Sequence, residues 1–321
     1  MARYLLDRLL QSLIVLAMMS FVIYWLMGLM PGDPIDLMIS ADPKLTAQDA
    51  IRLRELYGLD RPITERYVNW LTAAIGGDFG FSRLHVKPVL TVLWPALGNT
   101  VILLGISFIL SVLLALPAGI YAAIRQYTGT DYLINLAAFA GISIPSFWLA
   151  LLLITLFSVI LGVLPASGTE TIGALSSFWD SAKFLILPIA TLTIASIGSH
   201  TRFVRAAMME TMRQDFIRTA RAKGATEARV VWHHALRNAL IPVVTILALD
   251  FGFLFSGALI TETIFAYPGM GKLIFDAIMG NDFNLAMVAF MFATVLTLLG
   301  NLVADIAYGW LDPRISYGEG K

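Results

Sequence analysis

Five stretches of this chain contain no charged residue: Leu9–Gly32, Pro88–Ile124, Tyr132–Thr169, Phe184–Thr201 and Phe283–Ala304, which are 24, 37, 38, 18 and 22 residues long. A sixth, Asn238–Thr261, is interrupted only by Asp250. A helix rises 1.5 Å per residue, so about 20 apolar residues cross the ~30 Å hydrocarbon core of a bilayer. A water-soluble core would alternate apolar and polar faces, and these runs do not. Composition agrees, with 14% charged residues against roughly 25% in soluble domains. The expected fold is an all-α integral membrane protein of about six transmembrane helices, at 9–30, 97–124, 132–161, 184–204, 240–262 and 284–308.

Orientation follows from lysine and arginine in short loops near helix ends, which favour the cytoplasm. With the N-terminus inside, the inner segments hold Arg3, Arg8, Arg125, eight basic residues between Arg202 and Arg237, Arg314 and Lys321. The short outer loops hold only Lys183 and Lys272. Both termini are therefore expected inside. The basic start before Leu9 resembles a signal peptide, but its apolar run exceeds the roughly 7–15 residues of such a segment. An uncleaved first helix is expected. Residues 31–94 form a long outer segment, and "AQDAIRLRELYGLDRP" within it predicts a short amphipathic helix ending near Gly58. Pro117, Pro145, Pro188 and Gly252 fall inside spans, where the main-chain bonds they free need partners from neighbouring helices or water.

The residues also exclude chemistry. Without cysteine the chain has no disulfide, iron–sulfur or thiolate-zinc site. His233 and His234 are adjacent and would point apart on a helix, with His85 and His200 elsewhere, so no metal site is expected. There is no phosphate-cradling GxxxxGK[ST] loop, no HExxH and no GxSxG elbow. This chain is therefore not expected to hydrolyse a nucleotide itself, and no bound cofactor is expected on it.

One inner stretch exceeds what orientation requires. Between Arg202 and Arg237 eight basic residues face only Glu210, Asp215 and Glu227. Phe216, Ile217 and Ala220 recur at helical spacing, as do Trp232, Leu236 and Ala239. Asp215 is placed to cap a short helix and Gly224 to end it. Two short helices about a glycine, joined at both ends to membrane helices, can transmit a push. The interspersed acidic residues and the lack of a recognised module argue against nucleic-acid binding.

Here the chain resembles a family. "RTARAKG" followed by "HALRNALIPVVT" looks like the cytoplasmic loop of ABC-importer permease subunits of the oligopeptide, dipeptide and nickel branch. "MPGDP" at 30–34, "SIPSFW" at 143–148, "ETIFAYPGMGKL" at 262–273 and "YGWLDPRI" at 308–315 resemble it too, in the family's order. Where the general importer pattern has Glu-Ala-Ala, three residues, then Gly, this chain has Arg218, Thr219, Ala220 and then Gly224; no role of the missing glutamate carries over. The resemblance implies one type I permease domain over 1–321, with core helices over 97–308 and a coupling loop over 206–239. Asp215, Phe216, Arg218, Thr219, Ala220, Arg221, Lys223 and Gly224 would form the surface that docks on an ATPase. In that picture Arg218, Arg221 and Lys223 steer docking, while Phe216, Ile217 and Ala220 supply apolar contact. The implied partners are a second, homologous permease (usually a different chain), two ATP-binding subunits carrying ATP and magnesium, and an extracytoplasmic binding protein. The implied location is a bacterial or archaeal cytoplasmic membrane. Peptides are the common cargo, but nickel, glycosides and other solutes are handled by similar proteins.

Two further places are candidates. Asp250 lies deep in the fifth span, where a carboxylate is costly and marks either a water-lined pathway or a hydrogen bond to a neighbouring helix. Glu262, Tyr267, Pro268, Gly269 and Gly271 belong to a rigid outer turn that would either meet a partner or simply hold its shape. An intramembrane enzyme would need acids closer together than Asp250, Glu262 and Asp305. A stand-alone channel would leave the basic loop as an orientation signal only.

Overall fold

The computed structural model describes residues 2–29, 46–56, 60–173 and 177–311. The "MPGDP" stretch therefore lies outside the described residues, as does the "DPRI" end of the last motif. Five helices are long and apolar enough to cross a membrane: Leu6–Gly28, Val89–Ile124, Phe178–Met212, Glu227–Leu247 and Phe283–Val303. A bent pair over Gly129–Ile160 makes a sixth when its two halves are counted as one broken span. By contact the chain divides into two compact units, Met1–Gly98 with Gly269–Val295, and Asn99–Pro268 with Leu296–Lys321.

The first unit contains α1 (Ala2–Gly28), α2 (Ala47–Leu56) and α3 (Ile63–Ile75), then a hairpin of two short strands, β1 (Phe81–Ser82) and β2 (Lys87–Pro88). The expected amphipathic helix is α2; α3 was not anticipated. Tyr67 attaches α3 to α1, its hydroxyl 2.7 Å from Ser20 Oγ and its ring edge-on to Phe21 at 5.2 Å. The hairpin is tied to Asp282, just before α12 (Phe283–Leu311). Asp282 accepts from Ser82 Oγ at 2.6 Å and from the Leu84 N–H at 3.0 Å, and its other oxygen takes the Leu285 N–H at 3.1 Å. One carboxylate thus caps a helix and fixes a hairpin 200 residues away in sequence.

The second unit holds most of α4 (Val89–Ile124), then α5 (Gly129–Ser143), α6 (Ser146–Leu153) and a π-helical stretch, Ile154–Ile160. It continues with α7 (Phe178–Met212), α8 (Asp215–Ala222), α9 (Glu227–Arg229), a second π-helical stretch Val230–Ala235, and α10 (Leu236–Ile264). In the first unit α11 (Met270–Met279) leads to α12.

The expected single helix over 132–161 is corrected. It breaks at Ile144–Pro145, and the two halves diverge by 100°. Proline has no N–H to donate and disfavours the α conformation in the residue before it; Ile144 accordingly sits at φ −83°, ψ 120°. Pro188 stays within α7 and Pro242 within α10. The expected start at 240 is also too late, because helix continues from Glu227 through the π-helical stretch into α10.

Small residues let the helices of this unit approach closely. A Cβ on Gly198 would lie 2.2 Å from the Ala138 carbonyl oxygen, and one on Gly141 would lie 2.9 Å from that of Ile194. These contacts press α5 against α7. Gly119 does the same for α4 and α7, where a Cβ would meet the Thr201 carbonyl oxygen at 2.7 Å.

Candidate functional site

The cytoplasmic loop is built from local bonds upward. Gln214 occupies the N-cap position of α8 and makes no side-chain capping bond. Asp215 is therefore the first helical residue, not the cap the sequence suggests. Its charge complements the positive end of the helix, and it accepts from Arg218 at 3.3 Å. The helix ends in a Schellman turn: the Ala225 N–H reaches the Ala220 carbonyl at 3.2 Å and the Gly224 N–H that of Arg221 at 2.9 Å. Gly224 has φ +79°, yet a Cβ there would meet nothing within 4 Å. Backbone handedness, not crowding, is what this position demands of its residue.

Beyond the glycine, the Thr226 side chain accepts from the Arg229 N–H and starts α9. Arg221 grips Glu227 with two bonds of 2.7 and 3.1 Å, closing α8 onto α9. That bond raises the arginine's pKa further.

Burial gives the loop two faces. Ile217 is fully buried and Ala220 nearly so, in one cluster with Ile120, Val204, Met208, Val230 and Ala239. The expectation that Phe216, Ile217 and Ala220 all face a partner is corrected: only Phe216, 41% exposed, points out. The loop is rooted on the ends of α4, α7 and α10, because those ends supply the cluster. Arg218, Thr219, Arg221, Lys223 and Gly224 are exposed. Arg218 and Arg221 are held by carboxylates; Lys223 has no ion pair among the described residues. Trp232 adds an exposed aromatic, 61% accessible.

Asp250 takes part in a chain across three helices. Ser111 Oγ of α4 lies 2.8 Å from His200 Nδ1 of α7, and His200 Nε2 lies 3.0 Å from Asp250 Oδ2 of α10. With Asp250 ionised, Nε2–H donates to it. Phe108 packs edge-on against the imidazole at 5.9 Å. Ser111 and His200 are buried, whereas Asp250 is 39% exposed. The order Ser–His–Asp is that of a hydrolytic triad, but the exposure is reversed: the most accessible member is the carboxylate, and the hydroxyl is buried. Such a chain can orient a charge at the edge of a space; it cannot present a nucleophile. Sequence reasoning passed over His200 because its partners are 89 and 50 residues away. The available signal was three polar side chains within otherwise apolar spans.

For the outer turn, where a partner contact and a shape-holding turn were both open, most of the named side chains face inward. Glu262 is completely buried and accepts from Thr100 Oγ1 at 2.6 Å. Tyr267 is buried, with its hydroxyl donating to the Asn99 carbonyl at 3.2 Å, and Asn99 in turn donates to the Pro268 carbonyl at 2.9 Å. Burial, with the Glu262 charge nearby, pushes the Tyr267 phenol up to about 12. Gly269 and Gly271 are buried as well. Of the five residues suggested as partner contacts, Pro268 alone is exposed.

Comparison with known proteins decides the family. Residues 115–317 match the family described as binding-protein-dependent transport system inner membrane component, and residues 1–91 match the N-terminal family of the same systems. The chain belongs to this permease family. An oligopeptide transport system permease protein of Bacillus subtilis (strain 168) is 40% identical over 99% of this chain and 100% of its own length. A glutathione transport system permease protein of Escherichia coli (strain K12) is 37% identical over the same shares. A dipeptide transport system permease protein of Alkalihalophilus pseudofirmus is 36% identical, again over 99% and 100%.

Among solved structures, the MetNI methionine ABC transporter in an inward-facing form matches with a TM-score of 0.59 at 18% identity, over 70% of this chain and 98% of that one. The permease fold is thereby shown. The protein is a multi-pass inner-membrane permease subunit of an ABC importer. Membership in the family implies a partner ATPase and a substrate-binding protein.

Proposed function

We propose that this chain forms half of the translocation pathway of a peptide importer. A second, homologous but different permease completes the pathway, and two ATPase subunits carry the ATP and magnesium. An extracytoplasmic binding protein delivers the cargo. The chain itself performs no chemistry. Peptide cargo is supported by the oligopeptide, dipeptide and glutathione systems named for its relatives.

The α8–Gly224–α9 element is the coupling surface in this reading. One observation carries it: the element shows Phe216, Arg218 and Lys223 to the cytoplasm, while Ile217, Ala220 and Val230 bury into the helix ends. Force applied to the outer face reaches α4, α7 and α10 through close packing, which shifts between discrete arrangements and does not deform smoothly. Asp250, oriented by His200, lines the pathway.

Gly224 supplies the test. Gly224→Val places a β-branched residue at positive φ, which L-residues avoid at a cost of roughly 1–2 kcal/mol. The variant is expected to insert and to assemble, yet to hydrolyse ATP without matching uptake. Gly224→Asn tolerates this backbone and is expected to retain most transport. Full uptake by the valine variant would overturn the assignment of the loop.

A further inference from the structure

A groove of about 500 Å³ is lined by Asn135 and Ile142 of α5 and by Ser199, Arg202, Phe203 and Arg205 of α7. Its two arginines differ. Arg205 is neutralised by a two-pronged bond to the buried Asp131, at 2.7 and 2.8 Å, and Asn135 donates to the same carboxylate at 2.7 Å. Arg202 has no carboxylate partner among the described residues. Its guanidinium is held over the Phe139 ring at 4.4 Å, and the side chain is exposed.

Depth gives this cation meaning. Arg202 is the first charge after the 18 uncharged residues Phe184–Thr201. Those residues span about 27 Å as helix, close to the ~30 Å hydrocarbon thickness. On the cytoplasmic side assigned by the lysine and arginine bias, Arg202 therefore lies at the inner boundary between hydrocarbon and headgroups. Ile142, which lies against Gly198 one turn before Arg202 on α7, is the apolar part of the lining on the membrane side of that arginine. Phe139 and Phe203 beside it are large, exposed apolar side chains.

We infer that this groove binds an acidic phospholipid of the cytoplasmic leaflet, with its phosphate on Arg202 and one acyl chain along Ile142 and Phe203. The Asp131–Arg205–Asn135 network is the scaffold that keeps the groove open and adds almost no net charge. Charge complementarity selects the occupant: a pre-positioned cation with no carboxylate partner among the described residues faces, at this depth, a leaflet that carries anionic lipids. The inference is independent of the cargo and of the coupling loop.

The test uses the full chain with its copurifying subunits, in nanodiscs of phosphatidylcholine with phosphatidylglycerol, followed by native mass spectrometry of retained lipid. The wild type is expected to retain phosphatidylglycerol over phosphatidylcholine. Arg202→Gln is expected to lower that preference about fivefold, the scale of one cation at an acidic surface, while Arg202→Lys keeps part of it. Arg229→Gln, which removes the same charge from the cytoplasmic loop, is expected to leave it unchanged. Equal retention of both lipids by the wild type, or an unaltered preference in Arg202→Gln, would overturn the inference. So would displacement of the lipid by millimolar inorganic phosphate, or a crosslink from residue 202 to a second permease chain.

Discussion

Two glycine-bearing turns flank the helical run from Glu227 to Ile264, and they are built in opposite ways. The cytoplasmic turn keeps its bonds short in sequence: a Schellman pair, Asp215 to Arg218, Arg221 to Glu227. Its side chains then divide into a buried root and an exposed face. The outer turn spends its polar groups inward, with Glu262 on Thr100 and Tyr267 on Asn99, residues from a helix more than 160 positions earlier. In the proposed reading the cytoplasmic turn meets a moving partner, and such a turn has to hold its shape without using up its surface. A turn whose polar groups are all committed holds other elements in place. Glycine and proline content does not separate the two; burial does.

The largest expected effect lies at the root of the cytoplasmic turn. Ile217→Ala empties a fully buried site and should cost roughly 2–4 kcal/mol, read as an earlier melting transition in detergent. Phe216→Ala, one residue away, should leave melting unchanged and reduce ATP-driven uptake. If the two variants melted alike, the two-faced description would be wrong. Next comes Glu262→Ala, which removes the buried carboxylate that accepts from the Thr100 hydroxyl and should cost about 1–3 kcal/mol. That loss should appear in stability and track uptake; normal stability with lost binding-protein docking would make the outer turn a contact surface after all.

Asp250→Asn sharpens the comparison from within the bundle. The amide keeps a bond to His200 but loses the charge, so melting should shift little while uptake falls about tenfold, a working scale of 1.4 kcal/mol. Unchanged uptake would leave Asp250 a helix-to-helix link only. The smallest effect belongs to Arg221→Ala, because exposed ion pairs contribute about 0.2–1 kcal/mol. A double-mutant cycle with Glu227→Ala should return a coupling in that range.

Much of this architecture was legible because membranes simplify the reading. Uncharged runs locate the spans, and Gly224 after an amphipathic stretch marks the end of α8. The bend at Ile144–Pro145 was signalled by its proline, but not its size, since a proline inside a span is kinked or bridged according to its neighbours. Pro188 illustrates the second outcome. The polar constellations were not legible. Ser82 finds Asp282 across 200 residues, Arg205 finds Asp131 across 74, and Ser111 finds His200 across 89. Only packing brings such pairs together, and the same packing turned Ile217, Ala220 and Glu262 inward.

The central claim is that the outward face of α8 is a docking surface while its root is not. The chain has no cysteine, so a single Phe216→Cys provides one thiol there, with Lys223→Cys as a second position on the same face. Maleimide labelling would be measured on the chain alone and with its ATPase bound. Rapid labelling alone, strongly protected by the ATPase at both positions, is the expected result. Equal labelling with and without the ATPase would contradict it, and the element would have to be read as a topological connector.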